Sequence, residues 1–289
     1  MRSLLFVPGD RPDRFGKAVA AGADAIILDL EDSVAPNAKA GAREAVTAWL
    51  RDGSAERAGC RVFVRINPLA LDWWEADLAS AVHADGVMLP KAANGDDVAR
   101  LDALLRVAEA EAGRTDGAVG ILPIITETAA ATLQAATYAG SSTRLVGLTW
   151  GAEDLSADIG AARKRDSQGS YTDVFRYART QTLLAAVAAE VVPMDTVFPQ
   201  IADAEGFERE CREAAADGFT AKMAIHPSQV PVINRVFTPN EADVDRAKHI
   251  VEAFAAAGEP GVLQLDGEML DRPHVRNAQA LLARAARYS

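Results

Sequence analysis

Eight short apolar segments recur along residues 1–226, and each is followed by a longer stretch with helical periodicity. The segments are rich in Leu and β-branched residues and almost continuously apolar, which is typical of parallel strands buried on both faces. We predict one strand in each segment: residues 3–8, 25–31, 61–67, 86–91, 120–126, 143–151, 194–200 and 219–226.

Amphipathic helices are predicted between these strands. Residues 96–113 place apolar side chains at helical spacing, and the Ala-rich residues 178–191 do the same. Eight strand–helix units in succession predict an α/β fold, a (β/α)8 TIM barrel. A doubly wound sheet is the structural rival. Such a sheet usually carries a Gly-rich phosphate loop after its first strand, and residues 7–15 (VPGDRPDRF) do not form one.

Residues 227–289 follow the eighth predicted strand. We expect them to form a C-terminal helical extension, or flap, of the barrel domain (residues 1–226) and not an independent domain. A helix is predicted over residues 239–258, with an Asn start signal and a Gly stop. A turn-rich stretch over 259–267 and a last helix from 273 complete the chain.

Composition and charge narrow the function. The net charge of −11 makes nucleic acid or an anionic membrane an unexpected partner. The N-terminal apolar run is too short for a secretion signal, and no stretch is long enough to span a membrane, so we expect a soluble, cytoplasmic protein. Two distant cysteines and four scattered histidines form no metal motif. A metal site would therefore be built from carboxylates.

Charged and polar side chains stand at the ends of the apolar segments, where barrel enzymes place their chemistry. Unpaired charges in such positions are costly, and a shared cation would remove the cost. Glu127 and Asp154 end the fifth and sixth segments, so both can reach one Mg²⁺ ion. Other such residues are Asp10, Asp29, Glu31, Asp32, Arg65, Asn67, Lys91, Glu153, Lys222 and His226, while Asp195 is expected near the start of the seventh strand.

Structural roles compete with these functional ones. Asp154 also fits the N-cap of a helix, and Glu153 fits a supporting or structural acid. Arg65 offers a guanidinium fork for a carboxylate, such as that of a 2-oxo acid bound beside Mg²⁺; a salt bridge to Glu31 or Asp32 is the alternative. Those two acids suit equally well the orientation of metal-bound water.

Lysines at two strand ends are a further possibility. Lys91 and Lys222 each resemble a Schiff-base lysine in isolation. With a metal site present, electrostatic or structural roles are favoured for both.

Nine motifs in order resemble a known family. They are SLLFVPGDRPDRFGKA, DAIILDLEDSV, VRINPL, GVMLPK, PIITET, GLTWGAEDLSADIGA, DTVF, GFTAKMAIHPSQV and GEMLDRP, and they run from residue 3 to about residue 283. Together they resemble the citrate lyase β-subunit-like group of the HpcH/HpaI aldolase superfamily, whose relatives include malyl-CoA and citramalyl-CoA lyases.

The resemblance implies a set of roles. Glu127 and Asp154 would bind Mg²⁺, with Glu31 and Asp32 behind them. Arg65 would hold the 2-oxo acid carboxylate and take part in catalysis. Asp271 would transfer the proton, often to a neighbouring subunit, so a homo-oligomer is expected, a trimer or a multiple of it. Backbone N–H groups of Gly151, Ala152, Glu153, Asp154 and Leu155 would assist substrate binding, and the CoA side would be contacted by Arg14, Phe15 and Lys17.

The implied activity is Mg²⁺-dependent interconversion of a 3-hydroxy-carboxyacyl-CoA, of the malyl-CoA or citramalyl-CoA type, with acetyl-CoA and a 2-oxo acid. Three alternatives stay open: a malyl-CoA thioesterase, a citrate lyase β chain acting on a carrier-bound thioester, and a non-catalytic metabolite-binding subunit. The intact Glu127, Asp154, Arg65 and Asp271 disfavour the last.

Overall fold

Parallel strands follow one another around the first part of the chain, as the apolar segments predict. The computed structural model describes residues 1–52, 57, 59–258 and 260–288. Within that part, eight strands form one parallel sheet in the order β5-β4-β3-β2-β1-β8-β7-β6. The strands are β1 (Ser3–Pro8), β2 (Ala25–Asp29), β3 (Arg61–Arg65), β4 (Gly86–Leu89), β5 (Gly120–Pro123), β6 (Gly147–Leu148), β7 (Val192–Asp195) and β8 (Ala221–Ala224).

The two edges of this sheet meet. Isolated parallel bridges join Ile121 to Leu145 and Ile124 to Thr149, between the β5 segment and the β6 segment. The backbone N–H of Ile125 also donates to the carbonyl of Thr149 at 2.9 Å. The sheet therefore closes on itself, and the predicted (β/α)8 barrel is confirmed.

Alternate strand residues fill the barrel interior. This is the period-2 pattern of strands whose other face packs against helices. The buried cluster consists of Leu4, Ala25, Ile27, Phe63, Met88, Leu122, Ile124, Met194, Ala221 and Met223.

Helices separate the strands. α4 begins after Asn94, whose side chain accepts the N–H of Asp96, and α8 begins after Asp203, which caps Gly206 in the same way. The helices up to residue 237 are α1 (Phe15–Ala20), α2 (Lys39–Asp52), α3 (Trp74–Ala81), α4 (Gly95–Glu111), α5 (Ala129–Leu133), α6 (Ala152–Asp158), α7 (Asp173–Ala188), α8 (Ala204–Asp217) and α9 (Val230–Phe237). None of the described helices is long and apolar enough to cross a membrane.

Most predicted strands extend past the observed ones at their carboxyl ends. Leu30 and Ile66, for example, are fully buried although they lie beyond β2 and β3, so apolarity alone does not mark where the ladder stops. The seventh strand also starts earlier in the chain than predicted. It begins at Val192, and Asp195 is its last residue, not near its start.

The chain divides into two compact units, Met1–Asn234 and Arg235–Ser289. The second unit contains α10 (Glu241–Ala256), β9 (Val262–Leu265), β10 (Glu268–Asp271) and α11 (Arg272–Ala285). Asn240 caps α10 by accepting the N–H of Asp243, as its sequence indicates.

The expected turn-rich stretch is an antiparallel hairpin of β9 and β10. Glu259 and Ser289, which the predicted elements included, lie outside the described residues. This unit has a core of its own, formed by Ala247, Ile250, Phe254, Leu270, Val275 and Ala278. That it does not fold independently stays a prediction.

Candidate active site

A cavity of about 350 Å³ opens at the carboxyl ends of the barrel strands. Pro8, Asp29 and Arg65, the last residues of β1, β2 and β3, border it. Barrel enzymes place their active sites at this end, so the cavity is the candidate site. The rest of its lining consists of Phe6, Asp32, Ser33, Ile124, Glu127, Trp150, Gly151, Ala152, Glu153, Asp154, Thr196, Val197, Met223 and Ile225.

Arg65 is held by two buried acids. Its Nε and Nη2 donate to the two carboxylate oxygens of Asp29, each at 2.7 Å, and its Nη1 lies 2.9 Å from Oε2 of Glu31. Burial alone would raise the pKa of Asp29, but the charge and hydrogen bonds of Arg65 outweigh it and lower that pKa. The expected structural partners were Glu31 or Asp32. Glu31 is one, but Asp29 makes the bidentate pair.

Arg65 keeps donors for a ligand. A guanidinium carries five N–H donors, and the hydrogen bonds to Asp29 occupy two of them, while Nη1 lies within ion-pair distance of Glu31. The guanidinium carbon lies 4.9 Å from the ring centre of Phe6, which supports it from one face. The edge of the guanidinium formed by Nε and Nη2 is therefore occupied by Asp29. A substrate carboxylate would meet the remaining N–H groups of an arginine that is already fixed.

Lys91 is the second cation of this region. Its backbone lies in the left-handed region, at φ +51°, which is uncommon outside glycine and is found at functional sites. Its Nζ forms an ion pair with Glu31 and lies 3.3 Å from Asp32 and 3.5 Å from Asp154. Its backbone N–H donates to Oε2 of Glu127.

The pKa of Lys91 follows from these contacts. Burial alone would lower the pKa of its amine, but the hydrogen bond to Glu31 and the surrounding carboxylates outweigh it and raise that pKa. A lysine held as an ammonium is a poor Schiff-base nucleophile. These contacts favour an electrostatic or structural role for Lys91, and its role stays a prediction.

Glu127 and Asp154 face the same cavity from neighbouring strand ends. Glu127 is buried, and burial together with the charge of Asp154 raises its pKa to about 8. Asp154 lies in the first turn of α6 with its side chain 35% exposed. A buried carboxylate next to a second acid lacks a full counter-charge, which is the environment that a divalent cation satisfies.

The pair fits Mg²⁺ in number as well as in chemistry. Mg²⁺ is commonly bound by one or two carboxylates, with water or substrate at its other positions. Among the described residues, no group of three or more His, Cys, Asp or Glu side chains forms a denser metal site. Glu127 and Asp154 would hold the ion, as the sequence predicts.

Gly151 makes room for this arrangement. A Cβ built at Gly151 would lie 2.6 Å from Cγ of Glu127, closer than real Cβ contacts come. The residue precedes α6 as its N-cap, so the first N–H groups of the helix have no partner within the helix. Glycine is needed here because of a close approach and not because of its backbone angles.

The five residues of this turn are not equivalent. Gly151, Ala152, Glu153 and Asp154 line the cavity, but Leu155 does not. The side chain of Leu155 packs in a buried aromatic cluster, and its N–H donates to the carbonyl of Gly151 at 3.4 Å. Glu153 pairs with Lys164. Leu155 thus supports the turn from behind.

The predicted CoA-side residues differ in the same way. Arg14 and Lys17 are exposed in the turn and helix that follow β1. The ring of Phe15 is fully buried and packs edge-on against Trp49, with centroids 5.5 Å apart. Phe15 can therefore offer only backbone atoms to a ligand. The assignment of all three to CoA stays a prediction.

Asp271 lies in the second unit, at the junction of β10 and α11. It is the N-cap of α11, the structural role considered from the sequence. Its Oδ1 lies 2.6 Å from Nδ1 of His274, and its side chain is about half exposed. The carboxylate is therefore accessible, and its proton-transfer role stays a prediction.

Sequence reasoning missed the network behind the cavity wall. Nε1 of Trp150, a lining residue, donates to Asp195 at 2.8 Å, and Asp195 in turn pairs with Lys222 at 2.7 Å and Arg179 at 3.1 Å. Lys222 is fully buried and also pairs with Glu210 at 2.9 Å. Its amine is occupied by two carboxylates, so Lys222 is structural.

Comparison with known proteins agrees with the fold. The HpcH/HpaI aldolase/citrate lyase family model matches residues 2–227. A citrate lyase subunit beta-like protein of Mycobacterium tuberculosis is 38% identical over 283 residues, 97% of this chain and 94% of that protein. An L-malyl-CoA/beta-methylmalyl-CoA lyase of Cereibacter sphaeroides is 34% identical over 304 residues, covering 98% of this chain and 94% of the relative.

A solved structure is similar over nearly the whole chain. The crystal structure of protein CitE from Mycobacterium tuberculosis, in complex with magnesium, acetoacetate and coenzyme A, superposes with a TM-score of 0.79 at 37% identity. It covers 99% of this chain and 98% of its own.

Proposed function

The chain belongs to the HpcH/HpaI aldolase/citrate lyase family, and from this premise we propose that it is a Mg²⁺-dependent carbon–carbon lyase of acyl-CoA substrates. Its reaction interconverts a 3-hydroxy-carboxyacyl-CoA, of the malyl-CoA or citramalyl-CoA type, with acetyl-CoA and a 2-oxo acid. The magnesium and coenzyme A of the CitE structure and the activity named for the Cereibacter relative support this proposal.

One observation carries the proposal: a single cavity combines a fixed guanidinium with two carboxylates at neighbouring strand ends. Arg65 supplies charge and donors for a carboxylate, and Glu127 with Asp154 would bind the cation. A 2-oxo acid presents a carboxylate beside a carbonyl, so it can meet both groups at once. The bound cation would supply Lewis-acid polarisation of that carbonyl.

The chain's own residues then perform the remaining steps. In the condensation direction, Asp271 as general base takes a proton from the methyl carbon of acetyl-CoA. The resulting carbanion forms a C–C bond with the carbonyl carbon of the 2-oxo acid, whose oxygen ends as a hydroxyl after taking up a proton. Cleavage is the reverse. Arg65 holds the carboxylate throughout, and the Asp29 and Glu31 contacts hold Arg65.

Three further assignments belong to this proposal. Glu31 and Asp32 hold the ammonium group of Lys91, which in turn orients Asp154 at the cavity. Arg14 and Lys17, with the backbone of Phe15, contact the CoA side. The chain assembles as a homo-oligomer, a trimer or a multiple of it, in which Asp271 of one chain can serve a neighbouring cavity.

The activity is tested by incubating the protein with Mg²⁺, acetyl-CoA and a panel of 2-oxo acids, and by identifying the products by mass spectrometry. Accumulated hydroxyacyl-CoA is expected for the lyase. Free CoA together with a hydroxy-dicarboxylate would instead indicate hydrolysis of the thioester. No product with any oxo acid, in either direction, would contradict the proposal.

A matched pair of variants tests the metal site. Asp154→Asn removes one ligand charge, so Mg²⁺-dependent turnover should fall at least about 100-fold while the protein stays folded. Glu153→Gln is the control, since Glu153, the acid next to Asp154, pairs with Lys164, and its replacement should affect turnover little. Turnover by the wild-type protein after exhaustive chelation would exclude a metal-dependent reaction.

A further inference from the structure

An apolar stripe is exposed along helix α7. Its apolar members recur on the outward face of the helix, and each is between 48% and 62% exposed: Val174, Tyr177, Leu184 and Val187. Gln181 lies within the stripe, and its side-chain amide donates to the hydroxyl of Tyr177 at 2.6 Å. The two polar side chains are thus paired with each other, which lowers the cost of covering the stripe.

Charge is missing from this face of α7. Arg179 is the only charged residue from 177 to 189, and its guanidinium reaches the buried Asp195 at 3.1 Å with its side chain 11% exposed. On α8, by contrast, most exposed residues are charged, as is usual for a helix that faces water. They are Glu205, Arg209, Arg212, Glu213 and Asp217. An exposed apolar face without charges is typical of a surface that another protein covers.

The spacing of the stripe suits a second helix of the same kind. Along its centre, successive residues are separated by four, three and four positions: Tyr177, Gln181, Leu184 and Ala188. Two helices with this spacing can interlock their side chains. In an antiparallel pair with Gln181 of one chain opposite Leu184 of the other, each Tyr177 meets an Ala188, so that a large side chain fills the space beside a small one. The stripe is therefore complementary to itself, as a two-fold contact requires.

The charges at the two ends of the stripe favour the same orientation. Arg176, near the start of α7, is exposed and pairs with Asp173 of its own chain. Glu190 follows the last turn of the helix and is also exposed. An antiparallel pair brings Arg176 of one chain toward Glu190 of the other, and it sets the positive end of one helix dipole beside the negative end of its neighbour. A parallel pair would instead bring the two Glu190 side chains together.

We propose that the exposed face of α7 is an interface between two copies of this chain, which meet across a two-fold axis through antiparallel α7 helices. The stripe includes no residue that lines the candidate active site, so the inference is independent of the proposed reaction. A two-fold contact pairs two chains, or two trimers if the chain also forms the trimer proposed above. The assembly is then a dimer or a hexamer, with an even number of chains in either case.

Light scattering of the purified protein tests the interface by its mass. Leu184→Glu places a charge at the centre of the stripe, where the partner would bury it, so the particle mass should fall twofold. Val107→Glu is the matched control, since Val107 is 58% exposed on α4, and it should keep the wild-type mass. A wild-type monomer or trimer would overturn the inference, and so would a folded Leu184→Glu protein of unchanged mass.

Reversal of the end charges tests the antiparallel orientation. Arg176→Glu alone, or Glu190→Arg alone, should raise the dissociation constant of the two-fold contact about tenfold, because the symmetry repeats each repulsion. The double variant again sets opposite charges across the interface and should return the constant to within about threefold of the wild type. Arg212→Glu, on the exposed face of α8, is the control and should leave it unchanged. Sedimentation over a range of concentrations measures these constants. A double variant that dissociates as readily as the single ones would overturn the inference.

Discussion

Arg65 and Asp29 form a bidentate pair, with both N···O distances at 2.7 Å, between the last residues of two neighbouring strands. The ladder places these two residues directly opposite each other. The arginine is thus oriented by the fold before any substrate enters. A preorganised guanidinium loses little conformational entropy on binding a carboxylate.

Replacing Arg65 with Lys should weaken oxo acid binding, because the charge is kept but the planar fork is lost. We expect the apparent affinity for the oxo acid to fall by roughly 1.5–3 kcal/mol, the value of a charged hydrogen bond. Steady-state kinetics with varied oxo acid measures this. An unchanged dependence on oxo acid concentration would show that Arg65 serves only to pair Asp29 and Glu31.

The control for that experiment is Arg61→Lys. Arg61 begins the same strand, at the opposite end of the barrel, where its guanidinium lies over Phe63. It should leave the oxo acid response unchanged.

Gly151→Ala should damage the proposed metal site without replacing a ligand. The added methyl would lie 2.6 Å from Cγ of Glu127, so the glutamate must move. We expect Mg²⁺ affinity to fall about 10- to 100-fold, as when a group that positions a ligand is lost. Gly41→Ala is the matched control, since a Cβ there meets nothing within 4 Å in α2, and it should stabilise the protein by about 0.5–1 kcal/mol. Calorimetry with Mg²⁺ distinguishes the two variants, and equal affinities would contradict the prediction.

Asp195 should make the protein sensitive to acid. Burial alone would raise its pKa, but Lys222 and Arg179 outweigh it and lower the pKa to about 2. The unfolded chain therefore binds this proton at higher pH than the folded one. The stabilisation, about 2 kcal/mol, is present above about pH 4 and is lost as pH falls toward 2.

Urea unfolding of wild type and Asp195→Asn at pH 4 and pH 2.5 checks this dependence. The variant should be less stable at neutral pH, because Lys222 loses a buried partner, and should lose less stability between the two acidic values. Asp217→Asn, which removes the exposed acid on Arg179, should keep the wild-type dependence. An equally steep loss in Asp195→Asn would contradict the assignment.

Asp271→Asn separates capping from catalysis. Asn and Asp cap helices about equally well, so α11 should be retained, whereas loss of the base should lower the rate about 10²- to 10⁴-fold. Asp266→Asn, in the turn of the same hairpin at φ +52°, is the control and should be fully active. Wild-type turnover by Asp271→Asn would leave the residue with its capping role alone.

Mixing Asp271→Asn with Arg65→Ala then tests whether sites are shared between chains. Restored activity after subunit exchange indicates that Asp271 acts on a neighbour. No rescue despite exchange would place the base and the cavity in one chain.

The barrel could be predicted from sequence because its signal is repeated. Eight apolar runs at regular spacing define parallel strands without any knowledge of their partners. The convergence of Glu127, Asp154 and Arg65 followed from the same pattern, since the carboxyl ends of parallel strands meet at one end of the barrel.

What escaped prediction depends on pairing in three dimensions. Asp29 was not expected as the partner of Arg65, because their contact requires the register of β2 and β3, which apolarity does not fix. The burial of Phe15 depends on Trp49, a residue from another helix. The β9–β10 hairpin turns at Asp266 and Gly267. One face of the hairpin has exposed side chains, so its strands lack the continuous apolar run that marks a barrel strand in the sequence.

The closure of the barrel between β5 and β6 gives the proposed ion a structural role as well as a catalytic one. Isolated bridges, and not a continuous ladder, close the ring there, and Glu127 and Asp154 follow the two segments that meet at it. An ion bound by both residues would link the two segments at the carboxyl end of the barrel. Because the unfolded chain offers no such grip, Mg²⁺ at 100 times its Kd would add about 2.7 kcal/mol to the free energy of unfolding. The cofactor of the proposed reaction would thus also stabilise the closed barrel.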